Sequence, residues 1–137
     1  MQKVTVHRKA HFNAAHRLYV KDWSFDKNQD TFGKCNNPHY HGHNYEIIVS
    51  VTGEIDPVTG YVIDMKILKD IIKEEIEAAF DHKNLNEQVP EFKDLNPTAE
   101  NIVVVSWQKI RKRLDNKFDL EVTLYETPRN FVTYKGS

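Results

Sequence analysis

The chain has 137 residues, 39% of them hydrophobic and 28% charged, with a formal net charge of -1 at pH 7. That length fits a single domain over 1–137 with a sizeable core, and the near-neutral charge excludes bulk attraction to nucleic acid or a membrane surface. The N-terminal "MQKVTVHRKA" lacks an apolar run of signal-peptide length, "IVVV" at 102–105 is far too short to span a bilayer, and the lone cysteine makes no intrachain disulfide, so a cytoplasmic protein in a reducing setting is expected.

In chain order, "KVTVHRKAHFNAAH" (3–16) alternates with Val4, Val6, Ala10, Phe12 and Ala14 on one parity, which predicts a long first strand. His16 shares that parity. Residues 19–40 show neither period and scatter Trp23, Phe25 and Phe32 among charges, which predicts a long functional loop. "HNYEIIVSVTG" is a second strand with Tyr45, Ile47, Val49 and Val51 on one face. "EIDPVTGYVID" carries turn signals at Asp56-Pro57 and Thr59-Gly60 and leads to a short extended piece. From Met65 to Phe80, Ile67, Leu68, Ile71, Ile72, Ile76 and Ala79 keep helical spacing. A second helix starts in "NPTAENIVVVSWQKIRKRL", with an acid in the first turn after Thr98 and Ile102, Val105, Ile110 and Leu114 on one stripe. "LEVTLYET" and "NFVTYK" close the chain as two strands joined by a turn at Pro128. The order ββααββ predicts an α+β domain, helices on one face of a four-stranded antiparallel sheet.

The chemistry concentrates in "CNNPHYHGHNY" (35–45). His41 and His43 at the start of the second strand point to one face, close enough to share a zinc ion, and Gly42 leaves room on the other face. His16, at the end of the first strand, is the third candidate ligand; three neutral imidazoles leave zinc a strong Lewis acid. His7, His11 and His39 are expected on the surface or in loops. Cys35 has two readings that spacing leaves open. As a fourth ligand it closes a structural site; as a bystander it transfers protons beside an open metal. Asp81-His82 after the first helix is either a polar helix terminus or a carboxylate holding an imidazole in one tautomer.

"FNAAHRL", "CNNPHYHGHNY", "GEIDPVTGYVID", "DHKNLN", "PTAEN" and "YETPRNFVTYKG", in this order over nearly the whole chain, resemble the 6-pyruvoyltetrahydropterin synthase family. The resemblance implies that His16, His41 and His43 bind zinc and that Cys35 is not a ligand but a catalytic proton-transfer residue working with Asp81 and His82 across a subunit boundary. It implies that Glu126 anchors the guanidine-like edge of the pterin and that Thr98 and Glu100 help line its pocket. It also implies the T-fold, with three chains closing a twelve-stranded barrel and two trimers forming a homohexamer.

The substrate so implied is 7,8-dihydroneopterin triphosphate, with triphosphate elimination and internal redox rearrangement giving 6-pyruvoyltetrahydropterin. A related branch, serving queuosine synthesis, cleaves the side chain of the same substrate to 6-carboxytetrahydropterin and acetaldehyde. Five residues, "NNPHY", separate Cys35 from His-Gly-His, and the loop before Cys35 is long; both resemble the pyruvoyl type. A zinc-binding T-fold protein without turnover is a third reading, one that makes Cys35 or the Asp81-His82 pair dispensable. Arg17, Lys21, Lys34 and Arg129 are candidates to hold the triphosphate.

Overall fold

Two strands set the frame in the computed structural model, which describes residues 2–137. β1 (Lys3–His16) and β2 (His41–Glu54) pair antiparallel over fourteen residues each, from Lys3 opposite Glu54 to His16 opposite His41. Their alternation delivers the expected faces. Phe12, Ala14, Tyr45, Ile47, Val49 and Val51 are buried, while Lys9, His11 and Glu46 face solvent.

Between these strands the expected loop contains a helix, α1 (Phe25–Phe32), followed by a 3-10 turn over Gly33–Asn36. The Ser24 hydroxyl caps α1 by accepting from the Lys27 N–H. Buried Asn28 holds the helix against the chain: its Oδ1 accepts from the Val20 N–H at 2.7 Å and its Nδ2 donates to the Val20 carbonyl at 3.0 Å. An element anchored by a buried amide rather than an apolar stripe has no hydrophobic period to detect. Beyond Glu54, which ends β2, the "EIDPVTGYVID" segment is turn, bend and irregular chain, without the expected extended piece.

α2 (Met65–Ile72) runs through a π-helical turn at Lys73–Glu77 into α3 (Ala78–Phe80). It buries Leu68, Ile71, Ile72, Ile76 and Phe80, whereas Ile67, placed on the core stripe from its spacing, is 54% exposed. β3 (Lys83–Asn84) and α4 (Leu85–Gln88) follow, both unforeseen. α5 (Ala99–Arg111) begins at Thr98, whose hydroxyl accepts from the Asn101 N–H at 3.2 Å, and buries Ile102, Val105 and Ile110 as expected, with Val103 and Ser106 beside them. β4 (Asp119–Tyr125) and β5 (Phe131–Tyr134) complete the sheet.

The sheet therefore has five strands in the order β3-β1-β2-β4-β5, not four. The extra strand is two residues long and parallel, pairing Lys83 with Ala14 and Asn84 with Ala15. A two-residue bridge carries no readable alternation. The class is α+β, and the sheet does not close on itself within one chain.

Gly53, buried on β2, faces Phe118 and Val62. A Cβ there would lie 2.8 Å from Phe118 Cδ1 and 3.2 Å from Val62 Cγ1. Gly53→Ala should therefore destabilise the protein by about 1–3 kcal/mol through overpacking. Urea denaturation checks this, and an unchanged midpoint would show that the Phe118 ring yields freely.

Candidate active site

The register of β1 on β2 assembles three imidazoles at one end of the sheet. His16 lies opposite His41, and Ala14 opposite His43, all on the core side. One ring nitrogen from each of His16, His41 and His43 falls within 4.8 Å of the others, a grouping that can hold a metal ion. His16 Nδ1–H donates to the Pro97 carbonyl at 2.8 Å, which fixes the tautomer and leaves the Nε2 lone pair free. Among the described residues His16 Nε2, His41 Nδ1 and His43 Nε2 are buried without a hydrogen-bond partner. Buried polar atoms are seldom left unpaired, and three converging orphan nitrogens fit a cation.

The protonation chemistry agrees. Burial, with the neighbouring rings of His41 and His43, lowers the His16 pKa to about 4, against the raising effect of the Pro97 carbonyl. Burial also lowers that of His41, with His43 adding to the effect. Both rings are neutral at pH 7, the form in which an imidazole can bind a cation. The Tyr45 hydroxyl lies 3.4 Å from His16 Nδ1, and its ionisation is pushed far up, first by burial and then by the charges of Glu126 and Cys35. Tyr45 stays a neutral phenol. Gly42 is exposed, and a Cβ there would make ordinary contact with the Ala14 carbonyl at 3.4 Å.

Cys35 is half-buried in the 3-10 turn and is not a member of the metal-holding group. Its thiol is pushed up by burial and then by the carboxylate of Glu126, so both side chains belong to one electrostatic neighbourhood. β4 pairs Tyr125 with Glu46, which carries Glu126 just past the strand end, where Oε1 comes within 4.0 Å of His43 Nε2. Glu126, Thr98 and Glu100 line one cleft of about 520 Å³ together with Arg129 and Phe131. A cleft of similar size, lined by Lys3, Asp56 and Lys117, lies at the opposite end of the β1–β2 pair and contains none of these groups.

Asp81 and His82 stand apart. His82 Nδ1 lies 3.0 Å from Asp81 Oδ2, and Asp81 Oδ1 accepts from the Asn13 N–H at 2.8 Å. That backbone bond, followed by the partnership with His82, depresses the Asp81 carboxyl. His82 takes a left-handed backbone (φ 59°) and donates its own N–H to the Asn13 carbonyl at 2.6 Å. The pair thus sits on the outer edge of β1, with the imidazole 84% exposed. One chain brings together the histidines, Cys35 and Glu126, but not this dyad.

Sequence reasoning missed the Pro97 carbonyl, Tyr45 as a neighbour of His16, and the engagement of two basic candidates. Arg17 is committed to Asn36, and Lys21 Nζ donates to the Lys93 carbonyl at 3.0 Å. A backbone carbonyl has no residue code, and Tyr45 already accounted for itself as core.

Comparison with known proteins gives the family. The family model described as 6-pyruvoyl tetrahydropterin synthase matches residues 5–137. The human 6-pyruvoyl tetrahydrobiopterin synthase is 47% identical over 131 residues, covering 96% of this chain and 90% of that protein. The solved structure of Caenorhabditis elegans 6-pyruvoyl tetrahydropterin synthase superposes with a TM-score of 0.94 at 41% identity, covering 100% of this chain and 98% of the other. A 6-carboxy-5,6,7,8-tetrahydropterin synthase from Rickettsia conorii is more distant, at 30% identity over 91% of this chain and 95% of its own length. The chain belongs to the 6-pyruvoyl tetrahydropterin synthase family. No helix among the described residues is long and apolar enough to cross a membrane.

His43→Ala should lose bound metal on dialysis, because two imidazoles without a third seldom retain the ion. Elemental analysis of the dialysed variant checks this. A full equivalent retained would remove His43 from the site.

Proposed function

We propose that this protein is a zinc-dependent lyase that converts 7,8-dihydroneopterin triphosphate to 6-pyruvoyltetrahydropterin, with release of triphosphate. The observation that carries the proposal is the convergence of three orphan imidazole nitrogens, one of which, His43 Nε2, lies 4.0 Å from the Glu126 carboxylate that lines a cleft of about 520 Å³. His16, His41 and His43 would hold the zinc. When bound, zinc supplies Lewis-acid polarisation of a substrate side-chain oxygen and so acidifies the adjacent C–H.

The remaining work falls to the chain's own groups. Glu126 accepts from the N–H edge of the pterin, a charge-assisted pairing that fixes the ring, with Thr98 and Glu100 bordering the cleft. Cys35 holds or moves a proton at Sγ; its raised thiol is mostly protonated near neutrality until a bound cation opposes that shift. Asp81 orients His82 through Nδ1 and leaves Nε2 free for proton transfer. The exposed position of this dyad, on the rim of β1, suits a group lent to the site of a neighbouring copy.

Cooperation of that kind needs an assembly, and the open edges of the sheet support one. Among the described residues, the outer side of β1 is bonded at Asn13, by Asp81 and His82, and paired with a strand only at Ala14 and Ala15, and β5 is an open edge of four residues. Exposed edges of this length invite further strand pairing, and trimers closing a twelve-stranded barrel would satisfy them. The proposed unit is a homohexamer of two such trimers. Sedimentation should give six times the chain mass, and an active monomer would refute the shared site.

Incubation with 7,8-dihydroneopterin triphosphate and mass spectrometry of the products tests the reaction. 6-Pyruvoyltetrahydropterin is expected; acetaldehyde with 6-carboxytetrahydropterin would assign the protein to the other branch. Cys35→Ala should keep its metal and fold while turnover falls by about 10²–10⁴-fold, the range for losing a positioned acid or base. Zinc content, melting temperature and turnover on one preparation decide it, and metal lost in step with activity would make Cys35 a ligand.

A further inference from the structure

The turn that carries Cys35 is hydrogen-bonded to the residue that follows His16. Arg17 closes its guanidinium fork on a single partner. Nε donates to the Asn36 carbonyl at 2.9 Å, and Nη2 donates to Asn36 Oδ1 at 3.0 Å. Asn36, next to Cys35, is fully buried, and its Nδ2 donates onward to Gln29 Oε1 on α1 at 3.3 Å. The Leu18 N–H donates to the Cys35 carbonyl at 2.8 Å.

Arg17 is itself immobilised. Its N–H donates to Asn86 Oδ1 at 2.8 Å, its carbonyl accepts from Asn86 Nδ2 at 2.9 Å, and its guanidinium lies 4.0 Å from the centre of the Tyr19 ring. A continuous chain of polar contacts thus leads from α4, through the residue after a metal-site histidine, to the turn that carries the thiol. Nothing in it has a spare donor geometry that a lysine could imitate, because a point-charge ammonium cannot present two fixed parallel donors to one amide residue.

We propose that Arg17 is a positioning residue for Cys35, acting through Asn36 to hold the thiol at a set distance from the three-histidine site, and not a phosphate-binding group. The proposal rests on the reading of Cys35 as a proton-transfer residue. Misplacement of a reacting group by about 1 Å can cost about 10²-fold in rate, so a clamp of this kind matters to turnover more than to folding.

Arg17→Lys tests it, read on the metal-loaded protein. Cys35 is the single cysteine, so alkylation by iodoacetamide reports the access and thiolate fraction of this thiol and of no other. Released from the fork, the thiol should alkylate at least about fivefold faster in Arg17→Lys than in wild type, with metal content unchanged. Its kcat should fall by at least about tenfold with KM within about twofold, the signature of a lost arrangement in the reacting complex and not of lost binding. In a Cys35→Ala background the same change should cost nothing further, since residues acting as a unit are non-additive.

Asn36→Asp keeps both acceptor oxygens for the fork while losing the Nδ2 donor to Gln29, and its alkylation rate should stay nearer to wild type than that of Arg17→Lys. A raised KM with kcat and alkylation intact would overturn the proposal and return Arg17 to the phosphates. So would an additive loss in the double variant. Full turnover by Cys35→Ala alone would instead undo the proton-transfer reading, and the alkylation comparison would still decide whether Arg17 fixes the thiol.

Discussion

The site depends on the register of β1 against β2. Side chains alternate across a strand, so a slip of one residue would turn His41, His43 and Tyr45 to the solvent face and strip the core of Ile47, Val49 and Val51. Register and core burial are therefore the same constraint, enforced by the four fully buried side chains of β2. The three clustered histidines continue the apolar face at the end where the core opens. Their placement needs no dedicated scaffold beyond the sheet, and His16 needs only the Pro97 carbonyl to choose its tautomer.

Around this fixed end the other groups arrive by different means. Glu126 is carried in by the pairing of β4 with β2, and Thr98 by the cap of α5, whose Pro97 neighbour supplies the carbonyl to His16. One helix start thus serves the cleft wall and the histidine at once. Cys35 comes from outside the sheet, on a turn after α1. Loops position chemistry less rigidly than strands, so its turn is tied to the rest by backbone and amide hydrogen bonds.

Much of this was legible in the residues. Period-two alternation placed both long strands, their faces and all three histidines, because burial and side-chain direction share one code. The helices at 65–80 and 99–111 followed from apolar spacing, and the Thr98 cap from its position before it. What escaped lacked a period. α1 is anchored by Asn28, β3 is two residues long, and the π turn at Lys73–Glu77 shifts the helix phase without a sequence mark. Ile67 was misplaced for a related reason, since a spacing rule assigns a stripe but not its width. Among the site residues, the three histidines could be grouped from strand geometry, whereas Glu126, Thr98 and Glu100 came from resemblance alone, and the structure puts those three around one cleft. The Arg17 clamp was invisible, because a basic residue near a site reads as a phosphate ligand until its hydrogen bonds are seen.

The metal centre we propose is a three-imidazole site with an open position and no thiolate. X-ray absorption at the zinc edge of the loaded protein tests it most directly. A first shell of nitrogen and oxygen at about 2.0–2.1 Å with three imidazole signatures is the predicted result. A sulfur scatterer at about 2.3 Å would place Cys35 on the metal and contradict the account.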